Sequence, residues 1–160
     1  MFIFLTKILR KGFWEMRRAL AYDDINIEPK YSDIEHRDKI DISTKFTKKT
    51  LLDIPIVSSP MDTITGFEMA KVLLDIGGVG VIHRFNTIEE QSRMIKKLYT
   101  YSTLSLKKPL CAAVGVTGDY LERAQELFKN GCNVLLIDVA HGHHKLVGDA
   151  IEKIKTKLET

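Results

Sequence analysis

From Ile54 onward the sequence alternates between two kinds of segment, and that alternation restricts the fold more than any other feature. "IPIVSS" is a short β-branched run bounded by Pro55 and Pro60. "GFEMAKVLLDIGG" follows with Phe67, Met69, Ala70, Leu73 and Leu74 at helical spacing, and stops at Gly77 and Gly78. "VGVIH" is strand-like again. "NTIEEQSRMIKKLY" reads as a helix with Asn86 or Thr87 as N-cap, Glu89 and Glu90 in its first turn, and Lys96 and Lys97 near its end. That charge order suits the helix dipole. "LCAAVGV" and "NVLLIDVA" are the third and fourth strands, "TGDYLERAQELFKNG" and "HHKLVGDAIEKIKTKLE" the third and fourth helices. Four β–α units in a row, with strands apolar on both faces, imply a parallel sheet covered by helices.

Two α/β architectures fit: an open doubly wound sheet, or about the first four units of a (β/α)8 barrel. A dinucleotide-binding open sheet usually carries a glycine-rich turn after its first strand. Here that turn is "SSPMDTITG", without the G-x-G-x-x-G pattern, and "GGVGV" enters a strand instead of opening a helix. In a barrel, chemistry collects where the strands end. Ser58, Ser59, Asp62, His83, Arg84, Gly115, Asp138 and His141 stand at those ends, so the barrel is favoured.

With 160 residues the chain can bury a real core. A formal charge of +3, with no basic run interleaved with aromatics, argues against nucleic acid. Cys111 and Cys132 sit in apolar contexts and read as buried free thiols of a reducing compartment. No apolar stretch reaches the roughly 20 residues that span a bilayer, so no membrane partner is expected. Residues 1–18 form an N-terminal extension. Its "MFIFLTKILRKGFWEM" lacks the order of a signal peptide, and reads as a short amphipathic helix (Phe2, Leu5, Ile8, Leu9) or as an upstream start ahead of Met16. The expected location is cytoplasmic.

"AYDDINIEPKYSDI", "IPIVSSPMDTITGFEMAKVLLDIGGVGVIHR", "IEEQ", "AAVGVTGDYLERAQELFKNG" and "VLLIDVAHGHH" occur in that order. Together, from about Ala19 to Lys157, they resemble the N-terminal half of the IMP dehydrogenase / GMP reductase family, and residues 19–160 read as that half of a TIM barrel. The resemblance implies a purine nucleotide, IMP or GMP, lying beside a nicotinamide cofactor across the barrel mouth. Ser59 would make a polar contact to the nucleotide. Met61 would lie under its base, the alternative being simple core filling. Asp138 would accept hydrogen bonds from the cofactor's ribose, as an ionised carboxylate is an acceptor-only partner for a diol. Val139 and Ala140 would line the same edge. Three histidines within four positions suggest a metal site at first sight, but His141, His143 and His144 alternate along a loop and helix start, where ligands do not converge. His141 is expected to shape the loop beside the cofactor, and His143 and His144 to be exposed first-turn residues.

Within the family, "PMDTIT", "GGVGVIHR", "AAVG" and "AHGH" lean towards IMP dehydrogenase with NAD. "GFEMAK", "IEHRDKID" and the "DVA" triplet lean towards GMP reductase with NADPH, although "NMDT" is absent. Arg37 and Arg84 could meet a 2′-phosphate, or be ordinary surface arginines. The dehydrogenase is favoured. "YTYSTLSLKKP" is far too short to hold a regulatory pair of CBS domains. The family's cysteine loop, a "GSICTTR"-like segment that attacks C2 of the purine and helps bind a monovalent cation (K+), has no counterpart here, and neither Cys111 nor Cys132 can be carried onto it. The activating flap is missing too. No catalytic residue is therefore assigned. The chain reads as a truncated or split oxidoreductase, with a non-catalytic nucleotide-binding or interaction half barrel as the alternative. Family members are homotetramers, and a half barrel is expected to need its C-terminal half or to self-associate.

Overall fold

The computed structural model describes residues 19–102 and 108–158, so expectations for residues 1–18 lie outside the described residues. The chain divides into two units, Met1–Ile40 and Asp41–Thr160. In the first, 3-10 turns at Tyr22–Asp24 and Arg37–Lys39 are separated by residues without regular secondary structure, and residues 19–40 are all exposed.

The second unit opens with a hairpin that the alternation does not reveal: β1 (Thr44–Thr47) pairs antiparallel with β2 (Thr50–Leu52). Then follow β3 (Val57–Ser58), α1 (Phe67–Asp75), β4 (Val79–Ile82), α2 (Ile88–Ser102), β5 (Cys111–Val114), α3 (Tyr120–Lys129), β6 (Val134–Ile137) and α4 (Lys145–Leu158). β3 to β6 make one parallel sheet in the order β3-β4-β5-β6. The strand expected over "IPIVSS" is shorter than its apolar run. Ile56 donates its amide to the Ile54 carbonyl at 2.8 Å, a tight turn, so that only its carbonyl, which accepts the Val79 amide at 3.1 Å, reaches β4. The fourth helix likewise starts at Lys145, past the histidine pair expected to open it.

Side chains alternate across the sheet as the pleat requires. Ile82, Ala112 and Val114 join one cluster with residues from every helix: Ala70 and Leu74 of α1, Ile95 and Leu98 of α2, Ala124 and Leu127 of α3, Ala150 and Ile154 of α4. Val79, Val81, Cys111 and Ala113 face the other way, among Val134, Leu136 and the hairpin residues Phe46 and Leu52, with no helical residue in the cluster. Each strand lies beside its predecessor and the helices share one face. A doubly wound sheet would instead reverse its order and place helices on both faces.

Two glycines are steric requirements. Gly77 ends α1 at φ +86°, a conformation that favours glycine, and a Cβ there would meet the Asp53 side chain at 2.5 Å. Gly80 lies against the Ala70 backbone, where a Cβ would approach its Cα to 2.6 Å, so only glycine lets α1 sit this close to β4. Burial of β4 and β5 is complete at all four positions of each, whereas β6 is half-buried along its length, as befits the last strand of an open edge.

Candidate functional site

The turn after β3 is built around Thr65, which is fully buried. Its hydroxyl bonds the Ser58 hydroxyl at 2.8 Å and also the Ser59 carbonyl. Its amide and that of Ile64 donate to the Met61 carbonyl at 2.9 and 3.0 Å, and its own carbonyl accepts the His83 amide at 3.3 Å. The "SSPMDTIT" turn is thus fastened to the end of β4. Ser59 is exposed and Met61 is 49% exposed, in neither buried cluster, so Met61 does not fill the core.

At the end of β4, His83 is buried, and its Nδ1 accepts the Phe85 amide at 3.3 Å. The next residue, Arg84, reaches across the end of β5. Its Nε donates to Asp138 Oδ2 and its Nη2 to the Asp138 carbonyl, both at 3.3 Å. Gly115 follows directly on β5, and this guanidinium passes over it. Asp138 follows β6, with its amide donated to the Val114 carbonyl at 2.9 Å. Val139 is half-buried and Ala140 exposed behind it. His141, His143 and His144 are all exposed, and His144 Nδ1 accepts the Leu146 amide at 3.1 Å, capping the start of α4.

The structure therefore brings Arg84 and Asp138, 54 positions apart, into one ion pair, and sets Ser59 and Met61 on the turn after β3. Arg37 belongs to the first unit, exposed at the head of a 3-10 turn. Sequence reasoning missed Thr65 and the Arg84–Asp138 pair. The first leaves no periodic signal. The second could have been found from Gly115, because a glycine ending a middle strand lets a long side chain cross it. Neither cysteine is a nucleophile as placed: burial raises the Cys111 thiol far above its ordinary range, and pushes Cys132 up to about 12. Among the described residues no helix is long and apolar enough to cross a membrane.

A family model described as the IMP dehydrogenase / GMP reductase domain matches residues 19–160. The chain belongs to the IMP dehydrogenase / GMP reductase family. It is 34% identical over 140 residues to an inosine-5′-monophosphate dehydrogenase of Nitrosopumilus maritimus, which covers 87% of this chain and 28% of the relative. A second inosine-5′-monophosphate dehydrogenase, of Borreliella burgdorferi, is 30% identical over 88% of this chain and 46% of its own length. A GMP reductase of Leishmania donovani is 36% identical over 91 residues, 57% of this chain and 18% of the relative. The chain thus spans less than half the length of these family members.

Proposed function

We propose that the chain is the nucleotide- and cofactor-contacting part of a cytoplasmic purine nucleotide oxidoreductase of the IMP dehydrogenase type, which converts IMP, NAD+ and water to XMP and NADH. The sheet is read as the first four strands of a (β/α)8 barrel, and the single observation that carries this is its winding. Strands in sequence order, with all helices on one face, bring Ser59, Met61, Arg84 and Asp138 to one edge, where a barrel keeps its chemistry.

Asp138 fits a nicotinamide cofactor. One carboxylate oxygen is held by Arg84, while Oδ1 has no partner among the described residues and can accept from a ribose hydroxyl. NAD supplies the hydride acceptor when bound. The chain's own part is to orient: the Thr65-fastened turn presents Ser59 and Met61 to the nucleotide, and Asp138, Val139 and Ala140 line the cofactor edge. The nucleophilic thiol and the monovalent-cation loop have no counterpart among these four β–α units, and on this reading they belong to the other half of the barrel.

GMP reductase, with NADPH, is the second reading, favoured by the 36% identity to such an enzyme; Arg84 or Arg37 would then meet the 2′-phosphate. Assay of the purified chain with IMP and NAD+, alone and with the C-terminal half of an IMP dehydrogenase barrel, tests the proposal. NADH should form only in the mixture. Heat-labile NADH formation by the chain alone would overturn the division of labour, and GMP-dependent oxidation of NADPH in the mixture would favour the reductase.

A further inference from the structure

Asp138 is held at three points. Its amide bonds Val114, its Oδ2 accepts from Arg84 Nε, and its carbonyl accepts from Arg84 Nη2. Oδ1 alone is left without a partner among the described residues. The guanidinium that does this is itself placed. It passes over Gly115, where a Cβ would stand 3.6 Å from Nη1 and 3.8 Å from Cζ. The Phe85 ring centroid lies 5.3 Å from Cζ, and that ring is stacked with the buried His83 at 18°. One side chain rooted after β4 therefore ties down the end of β6 across the end of β5.

An ion pair whose side chains are 35% and 31% exposed contributes little to global stability. What the two-pronged contact fixes is direction. Donors to the carboxylate and to the main-chain carbonyl of the same residue leave the carboxylate one orientation. A planar fork can make both bonds at once, whereas a lysine ammonium is a single point.

We propose that Arg84 is the positioning residue of the cofactor edge: it locks Asp138 with Oδ1 as the one open acceptor for a ribose hydroxyl. This rests on the reading of Asp138 as a cofactor contact. Gly115 has a defined part. A methyl there sits at ordinary contact distance from the guanidinium, while a branched side chain would push it off.

The test compares the wild-type chain with Arg84→Lys, Arg84→Ala, Gly115→Ala and Gly115→Ile, by hydrogen exchange at the Asp138 amide and by NAD+ titration. Exchange should quicken about tenfold in both Arg84 variants and in Gly115→Ile, the scale of one charge-assisted hydrogen bond, with Ala112 in the β4–β5–β6 ladder unchanged. NAD+ affinity should fall by a similar factor in the same three, and Gly115→Ala should match wild type. Full rescue by lysine would overturn the proposal, as would wild-type exchange and NAD+ affinity in Arg84→Ala. If wild type does not bind NAD+, the cofactor reading of Asp138 fails, and the exchange data still uphold or overturn the positioning role.

Discussion

Thr65 does more for the candidate site than a loop threonine normally does. Its buried hydroxyl holds Ser58 and the Ser59 carbonyl, and its carbonyl holds His83. Thr65→Val keeps the shape and removes the hydroxyl, so it should destabilise the chain by about 1–3 kcal/mol through the polar groups left unpaired. Urea unfolding measures this, and an unchanged midpoint would show those bonds carry no weight. At the cofactor edge, Asp138→Asn in a reconstituted enzyme should weaken NAD+ more than IMP, by roughly 1.5–3 kcal/mol, because a charge-assisted bond is lost. Equal losses would detach Asp138 from the cofactor. Cys132 sets an alkaline limit. Burial raises its thiol to about 12 from an ordinary 9.0, so the fold favours the neutral form. That contribution is whole below pH 9 and is lost as pH climbs towards 12, since only the unfolded chain ionises in this window. Thermal unfolding from pH 8 to 11 should show the decline, and a Cys132→Ala chain should show less of it. Of these residues, the place of Asp138 directly after β6 was legible because an acid closes an apolar run. Thr65 was not, since a buried hydroxyl in a turn has no periodicity to betray it.

α2 shows how element boundaries and element fastening differ in legibility. Its cap could be read from "NTIEE": Thr87 Oγ1 accepts the Glu90 amide at 3.2 Å, and Glu90 Oε2 accepts the Thr87 amide at 3.1 Å, a capping box. Its main tie to the sheet could not. Gln91 is fully buried, with Nε2 donating to the Ile82 carbonyl at 3.2 Å and the Ala113 carbonyl at 2.9 Å, and Oε1 accepting from Arg123 at 2.9 Å. Arg123, 6% exposed, is paired with Asp119 at 2.7 Å and bonds the Asn86 carbonyl at 3.0 Å. One amide thus joins α2, α3, β4 and β5. In the sequence it is a polar residue in a charged helix, and only its partners on other elements reveal its place. Thr87→Ala should cost about 1 kcal/mol. Gln91→Ala should cost more, upward of about 2 kcal/mol, because it strands a nearly buried guanidinium edge. Denaturant midpoints of the two variants check the order. The β1–β2 hairpin also escaped the sequence, since "KFTKKTLL" turns only Phe46 and Leu52 towards buried neighbours, too few for an alternation to stand out.

For the molecule as a whole, the α/β class and the parallel sheet were legible because four β–α units in a row admit few other arrangements. The half-buried β6 was not, because its apolar run reads the same whether or not a further strand pairs with it. As proposed, the sheet is part of a barrel and keeps two open edges, so the purified chain should self-associate or need its complementary half. Sedimentation at micromolar concentration checks this, and a well-protected, monodisperse monomer would contradict it. The strand order has a consequence in time as well. Val57 pairs with Val79, Val81 with Cys111 and Cys111 with Val134, so each ladder closes a loop of only roughly 20–30 residues. No strand waits for a distant partner. On a ribosome emitting the N-terminus first, each unit can dock on the one already in place, and the growing sheet always offers the newest segment its next neighbour.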